Sequence, residues 1–320
     1  MATYIVRRIL WGIVLILLVS ALTFVFFNVF PSADPAQLRA GRNASPAIIH
    51  YIRHELGLDK SVPTQFFTYM KNIFLHFNFG YSFYTGAPVL DLITNRLPAT
   101  ISLAVGAAVV WLLMGIPIGI ISAIRRGSVL DRIAMGVALV FVSMPVFWLG
   151  LVVLFVFAQD IGRFHVFPGA NTYTGLTVSP VHWFTSLLMP WFVLAATSAA
   201  VYSRVLRGSL IETMGEDYIR TARAKGLRER KVIMRHGVRA AITPVVTIFG
   251  LDLGALLGGA VITETVFNIP GIGRLNLDAI NHSDFPIVQG TVILATLFIV
   301  IANIVVDILY AYLDPRVRYT

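Results

Sequence analysis

The chain has 320 residues, of which 57% are hydrophobic and 13% are Asp, Glu, Lys or Arg, about half of the ~25% charged fraction usual in soluble domains. With 25 basic and 16 acidic residues, the chain has too little charged surface for an ordinary soluble fold, and a lipid-facing surface is predicted. The net charge of +9 does not indicate nucleic-acid binding, because the basic residues lie between apolar runs, and the absence of Cys excludes disulfides, zinc–thiolate sites and thiol nucleophiles.

Six apolar runs are long enough to span a membrane, which takes about 20 residues of helix. In chain order they are Ile9–Phe30, Thr100–Ile124, Ile133–Ala158, a run between Trp183 and Ser203, Ala240–Thr263 and Pro286–Leu313. We interpret the first run as a span rather than a cleaved signal, because it exceeds the ~7–15 apolar residues of a signal peptide. The pattern predicts an all-α polytopic membrane protein with six transmembrane helices.

The basic residues are distributed asymmetrically around these runs. If the N-terminus is cytoplasmic, the cytoplasmic segments contain 17 of the 25 Lys and Arg residues and 6 of the 16 acidic ones, whereas the external segments contain eight of each. Basic residues are retained on the cytoplasmic side of a membrane. Both termini are therefore predicted to be cytoplasmic.

The external segment Pro31–Pro98 contains signals for two helices. Ser45 as N-cap, Pro46 at the first position and Gly57 as a stop predict the first helix. The second, Pro63–Phe77, is rich in Phe, Tyr and Met and is expected to lie at the membrane interface. Packing against the membrane face and direct ligand contact are both open for this segment, with packing favoured.

The connection Arg207–Arg239 is the most informative part of the sequence. Acidic Glu216 and Asp217 begin a short stretch that ends with basic residues and Gly226, a pattern that predicts a short helix. Such a helix of roughly nine residues is not stable alone in water. It needs a partner surface, either the membrane helices behind it or another protein in front. The alternative is a solvated basic loop that only anchors the topology.

This connection resembles the cytoplasmic loop of bacterial ABC-importer permeases, in the form found in the dipeptide/oligopeptide (peptide/nickel) group. The resembling residues are Asp217, Tyr218, Ile219, Arg220, Thr221, Ala222, Arg223, Ala224, Lys225, Gly226 and Leu227. Three other stretches resemble the same group: Leu56–Asp59 with Pro63 and Gln65; Glu264–Phe267 with Pro270–Arg274, continuing to Asp284, Pro286 and Gly290; and the ending Leu313–Tyr319. The chain departs from the general importer loop, which begins Glu-Ala-Ala, in a way that suits the peptide group.

The resemblance implies a type I ABC-importer permease fold and the role of the B-type permease subunit in the bacterial plasma membrane. Residues 1–98 would form the first transmembrane helix plus the external segment, and 99–320 a five-helix permease core with a docking loop at about 207–239. The implied partners are a second homologous permease, two cytoplasmic ATPase subunits that hold ATP and Mg, and an external substrate-binding protein. The implied solutes are di- or oligopeptides, with a non-peptide solute such as a nickel chelate as the alternative.

By resemblance, the loop docks into a groove on a cytoplasmic ATPase subunit and transmits its closure to the membrane helices. Arg220, Arg223 and Lys225 are expected to pair with acidic groups on its surface, while Ile219, Ala222 and Leu227 supply apolar contact. The chain itself has no phosphate-binding loop, so we expect it to be a transporter subunit rather than an enzyme and to bind no cofactor. Its seven His residues lack metal-ligand spacing, and no metal site is predicted.

Two acidic residues, Asp252 and Asp307, lie inside apolar runs, where ionisable groups are functional candidates. Pathway lining and pairing with a neighbouring helix are both open for Asp252, whereas Asp307, near its helix end, is interpreted as structural. Gly250, Gly254 and Gly258 are spaced for one small-residue ridge that favours helix packing over a conduit wall. The competing function is an ion-coupled secondary transporter with Asp252 as its coupling site.

Overall fold

The computed structural model describes residues 2–30, 34–41 and 44–313; the resembling ending therefore lies, beyond Leu313, outside the described residues. Within these residues the chain is built from helices. There is no β-strand among them, and β-type pairing is limited to two isolated bridges, Tyr81 with Pro88 and Ala158 with Phe167. The all-α prediction is confirmed. The helices are α1 (Ala2–Phe24), α2 (Pro35–Ala40), α3 (Pro46–Glu55), α4 (Val62–His76), α5 (Val89–Ile124), α6 (Val129–Ser143), α7 (Val146–Phe157), α8 (Pro180–Thr213), α9 (Asp217–Ala224), α10 (Glu229–Lys231), α11 (Arg239–Ala241), α12 (Thr243–Leu257), α13 (Val261–Val266), α14 (Ile272–Asn281) and α15 (Phe285–Leu313).

Two π-helical turns interrupt this pattern. Val25–Val29 continues α1, and Val232–Val238 joins α10 to α11. Four helical segments are long and apolar enough to cross a membrane: Val6–Val29, Val89–Ile124, Pro180–Thr213 and Phe285–Ile308. Two bent pairs, α6 with α7 and Glu229–Ala241 with α12, bring the number of spans in the described residues to six if each pair counts as one.

The third predicted run, Ile133–Ala158, forms a bent pair of helices rather than one straight helix, as a proline inside a span predicts. Its two halves, α6 and α7, are bent by 103°. The break lies at Met144, which has an extended backbone, and Pro145. A proline has no N–H for the helix ladder and disfavours helical geometry at the residue before it, so the helix stops and restarts in a new direction.

The fifth predicted run also ends earlier than expected. Helix α12 stops at Leu257 rather than Thr263, and the short α13 follows as a separate element. Gly259 stands at the break with φ of +125°, a conformation that glycine alone adopts at low cost. The proposed boundary between residues 98 and 99 falls inside the continuous helix α5, and the division of the chain into two parts remains a prediction.

Helices α5 and α8 form the centre of the molecule and pack backbone to backbone. A Cβ built at Gly115 would lie 3.0 Å from the carbonyl oxygen of Ala199, and one at Gly119 would lie 2.8 Å from that of Ser203. Small residues that allow such close approach are the usual basis of helix packing in membranes. Trp111, which is fully buried, lies beside this contact on α5.

The two helices predicted within Pro31–Pro98 follow their sequence signals. Ser45 caps α3 by accepting a hydrogen bond from the backbone N–H of Ile48 at 3.4 Å. Helix α4 lies against the end of α1, where the rings of Phe24 and Phe66 are 5.3 Å apart and the hydroxyl of Tyr69 is within hydrogen-bond distance of Thr23. Burial raises the pKa of Tyr69 to about 12, so its phenol remains protonated at physiological pH.

One carboxylate ties the end of the external segment to the last long helix. Asp284, immediately before α15, accepts hydrogen bonds from the hydroxyl of Ser82 and from the backbone N–H groups of Phe83 at 3.0 Å and Tyr84 at 3.3 Å. Asp284 and Ser82 are each 1% exposed. Further along α15, a Cβ at Gly290 would lie 3.0 Å from Val89 of α5, so this end of the molecule is closely packed.

Candidate docking site

The connection between α8 and α12 is built around the short helix α9. Asp217 opens it, and the chain leaves it through Gly226 with φ of +73°. A left-handed residue after the last turn is the common way to end a helix, and glycine adopts that conformation without a side-chain clash. The predicted helix and its stop signal are confirmed.

The apolar face of α9 points into the chain itself. Ile219 is fully buried and Ala222 is 6% exposed, and both pack against Val232, with Met214 and Leu227 covering the cluster. The expectation that Ile219 and Ala222 offer apolar contact to a partner is therefore wrong. A two-turn helix has no stability of its own, so its apolar face is buried locally before any partner binds.

The opposite side of α9 is open. Tyr218 is 44% exposed, and Arg220, Thr221, Ala224 and Lys225 are also exposed. We call these five residues the outer face of α9. A partner can reach this surface without unfolding the connection.

Two of the three basic residues expected to pair with a partner already have acidic neighbours in this chain. Arg223 makes a two-pronged contact with Glu229, at 2.7 Å from Nη2 to Oε1 and 3.2 Å from Nε to Oε2. Arg220 lies 3.4 Å from Asp217. Exposed pairs of this kind contribute only about 0–1 kcal/mol, so a partner carboxylate can replace either acidic neighbour at little cost.

A cavity of about 370 Å³ lies behind α9, where the ends of α5 and α8 meet α10. Its floor is apolar and includes Ile124, Leu210 and Ile233, while Arg126 and Glu229 contribute charge to its lining. The connection therefore rests on two of the long membrane helices rather than hanging free in solvent.

An ion pair between a buried carboxylate and a partly exposed arginine fixes the last turns of α8 beneath this connection. The carboxylate of Asp131, which is 3% exposed, lies 2.7 Å from Arg207 Nε and 2.8 Å from Nη2. It also accepts hydrogen bonds from the backbone N–H of Gly127 at 2.8 Å and from the hydroxyl of Ser122. We call Asp131, Arg207, Ser122 and Gly127 the clamp. Sequence reasoning missed it, although an acidic residue between Arg125, Arg126 and Arg132 was a usable signal.

The three ridge glycines, Gly250 and Gly254 of α12 and Gly258 directly after it, lie against α15. A Cβ built at Gly250, Gly254 or Gly258 would lie 1.8, 2.9 or 2.8 Å, respectively, from a side-chain carbon of Val306, Ala302 or Ala295. Contact this close leaves no room for solute on that side of α12. The ridge is therefore a packing surface between two helices.

Asp252 points away from that ridge, toward α8. Its Oδ2 accepts a hydrogen bond from the hydroxyl of Tyr202 at 2.9 Å, and the Tyr202 side chain, 1% exposed, packs beside Trp111 with ring centres 5.8 Å apart. Two roles were left open for Asp252, pathway lining and pairing with a neighbouring helix. The hydrogen bond to Tyr202 of α8 is the pairing.

A second fully buried carboxylate organises the opposite end of α5. Glu264 of α13 accepts hydrogen bonds from the hydroxyl of Thr100 at 2.9 Å and from the backbone N–H of Arg274 at 2.9 Å. The same Thr100 oxygen accepts one from the N–H of Ile272 at 2.8 Å. The stretch from Glu264 to Arg274, which the sequence marked only by resemblance, therefore holds α13 and α14 onto α5.

The described residues contain no group of three or more His, Asp or Glu side chains placed to hold a metal ion. The buried carboxylates of Asp131, Glu264 and Asp284 have hydroxyl and backbone N–H donors instead, and Asp131 has Arg207 as well. These groups join helices to one another. The outer face of α9, by contrast, is exposed and available for contact with another molecule.

Two family models together cover nearly the whole chain. Residues 115–319 match the model described as binding-protein-dependent transport system inner membrane component, and residues 1–104 match the N-terminal model of such membrane components. The chain is 40% identical over 319 residues to a glutathione transport system permease protein, GsiC, of Pectobacterium atrosepticum, with 100% of each chain covered. It is equally similar to a putative peptide transport system permease protein of Brucella abortus, again with 100% of each chain covered.

The fold has a counterpart among solved structures. The methionine ABC transporter MetNI, in an inward-facing conformation, matches with a TM-score of 0.54 at 16% sequence identity, covering 70% of this chain and 97% of that one. At that identity the likeness concerns the fold alone, and it agrees with the permease fold that the sequence resemblance implied. The chain therefore belongs to the family of inner membrane components of binding-protein-dependent transport systems, the permeases of ABC importers.

Proposed function

We propose that this chain is the B-type permease subunit of an ATP-driven importer that carries peptides across the bacterial plasma membrane into the cytoplasm. It pairs with a second homologous permease, two cytoplasmic ATPase subunits and an external substrate-binding protein. Both chain ends and α9 lie on the cytoplasmic side, in keeping with the distribution of Lys and Arg. The observation that carries the proposal is α9, whose apolar face is anchored in the chain while its outer face stays open.

The chemistry of the outer face fits a protein partner with acidic groups. Arg220 and Lys225 supply positive charge and Tyr218 a half-exposed ring, and tyrosine and arginine are enriched in protein interfaces. The packed cluster of Ile219, Ala222 and Val232 behind them makes the helix rigid, so it transmits force rather than bending when pushed. An ATPase dimer that closes against this helix therefore moves the end of α8.

The solute class rests on the relatives rather than on a pocket in this chain. Relatives at 40% identity over the full length are named as glutathione and peptide permeases, and glutathione is itself a tripeptide. We therefore propose small peptides as the solute. ATP-driven uptake of a nickel chelate but not of di- or tripeptides by the reconstituted complex would contradict that choice while leaving the permease role intact.

The docking proposal is tested by a tryptophan on the outer face of α9. Ala224→Trp adds a bulky ring to that exposed surface, and Ala47→Trp places the same ring on exposed α3 of the external segment as the matched control. We expect Ala224→Trp to insert normally into the membrane but to reduce retention of the ATPase subunit at least about tenfold, the scale of a lost interface anchor. Ala47→Trp should retain the ATPase as the wild type does.

The alternative, an ion-coupled transporter, gives a different outcome in the same assay. It predicts that no ATPase is retained by the wild-type chain and that uptake persists after ATP depletion. It also predicts that Ala224→Trp transports normally. Uptake that persists after ATP depletion, or normal transport by Ala224→Trp, would contradict the proposed function.

A further inference from the structure

We infer that Asp131 is a positioning residue that couples the docking helix to the central pair α5 and α8, an inference that rests on the proposed function. The clamp joins three separate parts of the chain: the end of α5 through Ser122, the first turn of α6 through Asp131, and α8 through Arg207. It lies where the long helices give way to the α9 connection. The clamp therefore lies on a route by which movement of that connection reaches α5, α6 and α8.

The contacts around the carboxylate make the clamp stiff. The two carboxylate oxygens of Asp131 accept hydrogen bonds from Nε and Nη2 of Arg207 at 2.7 and 2.8 Å, a two-pronged contact that adds directional specificity to the ion pair. Its backbone N–H is held by Ser128 Oγ at 3.2 Å, and its second oxygen takes the N–H of Gly127. The carboxylate thus has a donor for each oxygen and cannot rotate without losing several bonds.

The clamp is continuous with the packed seam between α5 and α8. On α8, Ser203 touches Gly119 through its backbone, and Arg207 follows one helical turn later on the same face. On α5, Ser122 follows Gly119 by three residues, also on the same face. The backbone contact and the ion pair therefore belong to one line of interaction running along both helices.

The same line continues toward the docking helix. Leu210, fully buried and three residues beyond Arg207, lies 3.1 Å from where a Cβ at Gly237 would stand. Gly237 belongs to the π-helical turn Val232–Val238. Val232 of the same turn packs against Ile219 on the buried face of α9. Each step from α9 to the clamp is therefore a buried contact. Loss of the Asp131 charge breaks this line at its only ion pair among the described residues.

A positioning role differs from a purely structural one in what its loss changes. If the clamp only stabilises the fold, its variants yield less protein, but each assembled complex works normally. If it transmits motion, assembled complexes hydrolyse ATP without moving solute. The ratio of ATP hydrolysed to solute imported separates the two roles, because it is measured per active complex.

The test uses the complete importer in proteoliposomes, with a labelled tripeptide as solute. Asp131→Asn and Arg207→Gln each remove one charge of the clamp, and Glu212→Gln removes an exposed charge five residues after Arg207 on the same helix as the matched control. We expect both clamp variants to retain the ATPase and to raise the ATP-to-solute ratio about tenfold, in the range of ordinary coupling between sites. The double variant should be no worse than either single one, since both lose the same interaction.

Ser122→Ala provides a milder variant should the charge substitutions fold poorly, because it removes one hydrogen bond and leaves the ion pair in place. It should raise the ratio by a smaller factor with normal yield. A wild-type ratio in Asp131→Asn or in Ser122→Ala, or multiplicative effects in the double variant, would overturn the inference. Those outcomes leave the proposed function standing, whereas failure of the wild-type chain to retain an ATPase would overturn the proposed function itself.

Discussion

Arg8 and Asp307, 299 positions apart in the chain, form an ion pair. Arg8 Nε lies 2.5 Å from one carboxylate oxygen and Nη2 lies 2.9 Å from the other. The contact sets the start of α1 beside the last turns of α15. It also gives Asp307 the structural role expected for an acidic residue near a helix end.

The first prediction concerns sidedness. We expect fusions at both ends of the chain to report a cytoplasmic location, because the ion pair joins the start of α1 to the last turns of α15 and the basic residues favour the inside. A fluorescent protein at the C-terminus should fold and fluoresce, and an N-terminal epitope should resist external protease in spheroplasts. An epitope inserted between Asp59 and Lys60, in the external segment, should be cleaved. One protected and one cleaved terminus would contradict the Arg8–Asp307 contact.

The second prediction concerns the Tyr202–Asp252 hydrogen bond. Asp252→Ala leaves the buried Tyr202 hydroxyl without its acceptor, which costs about 1–3 kcal/mol of unfolding free energy. Asp252→Asn keeps an acceptor oxygen in place, so it should lose less stability and transport nearly normally. Denaturant titration in detergent and uptake assays measure the two effects. Abolished uptake in Asp252→Asn with unchanged stability would instead favour the ion-coupled alternative.

The third prediction concerns the ridge of α12. In Gly250→Ala the new methyl would stand 1.8 Å from a side-chain methyl of Val306, so Val306 must change rotamer or α12 and α15 must separate, at a cost of about 1–3 kcal/mol typical of overpacking. Gly136→Ala on α6 is the matched control, because nothing lies within 4 Å of a Cβ there. The control should gain about 0.5–1 kcal/mol, since alanine favours the helix. Equal unfolding temperatures for the two variants would refute the packing role.

The fourth prediction concerns Glu264. Glu264→Ala removes the acceptor for Thr100 and for the N–H of Arg274, and each buried donor left unsatisfied costs about 1–3 kcal/mol. Glu264→Gln retains one carbonyl oxygen and should be destabilised less. Proteolysis of the purified protein should show faster cleavage near α13 and α14 in the alanine variant. Identical cleavage of both variants would contradict the role of Glu264 in holding these helices.

Local features of the fold were predictable because their causes are local. The cap at Ser45, the first-turn proline at Pro46 and the stop at Gly226 act within a few residues, so the sequence alone indicates them. The length of each apolar run predicts a span, but not its direction. The 103° bend between α6 and α7 is signalled only by Pro145, and the angle itself depends on the helices packed around it.

The partners of buried charges were not predictable, for a physical reason. Asp131 and Arg207 are 76 positions apart, and Thr100 and Glu264 are 164 apart, and nothing near either residue in the sequence specifies the other. The same limit applies to α9. Its amphipathic pattern predicts that Ile219 is buried, but not whether this chain or a partner buries it.

The hydrogen bonds to Asp284 have a consequence for the outer surface of the molecule. Ser82, Phe83 and Tyr84 are held by a carboxylate that belongs to the start of α15, and hydrogen bonds to a charged group each contribute about 1.5–3 kcal/mol. A tilt or slide of α15 therefore drags this outer turn with it. In the proposed topology this turn faces outward, so a substrate-binding protein that docks there would contact a surface whose shape depends on the position of α15.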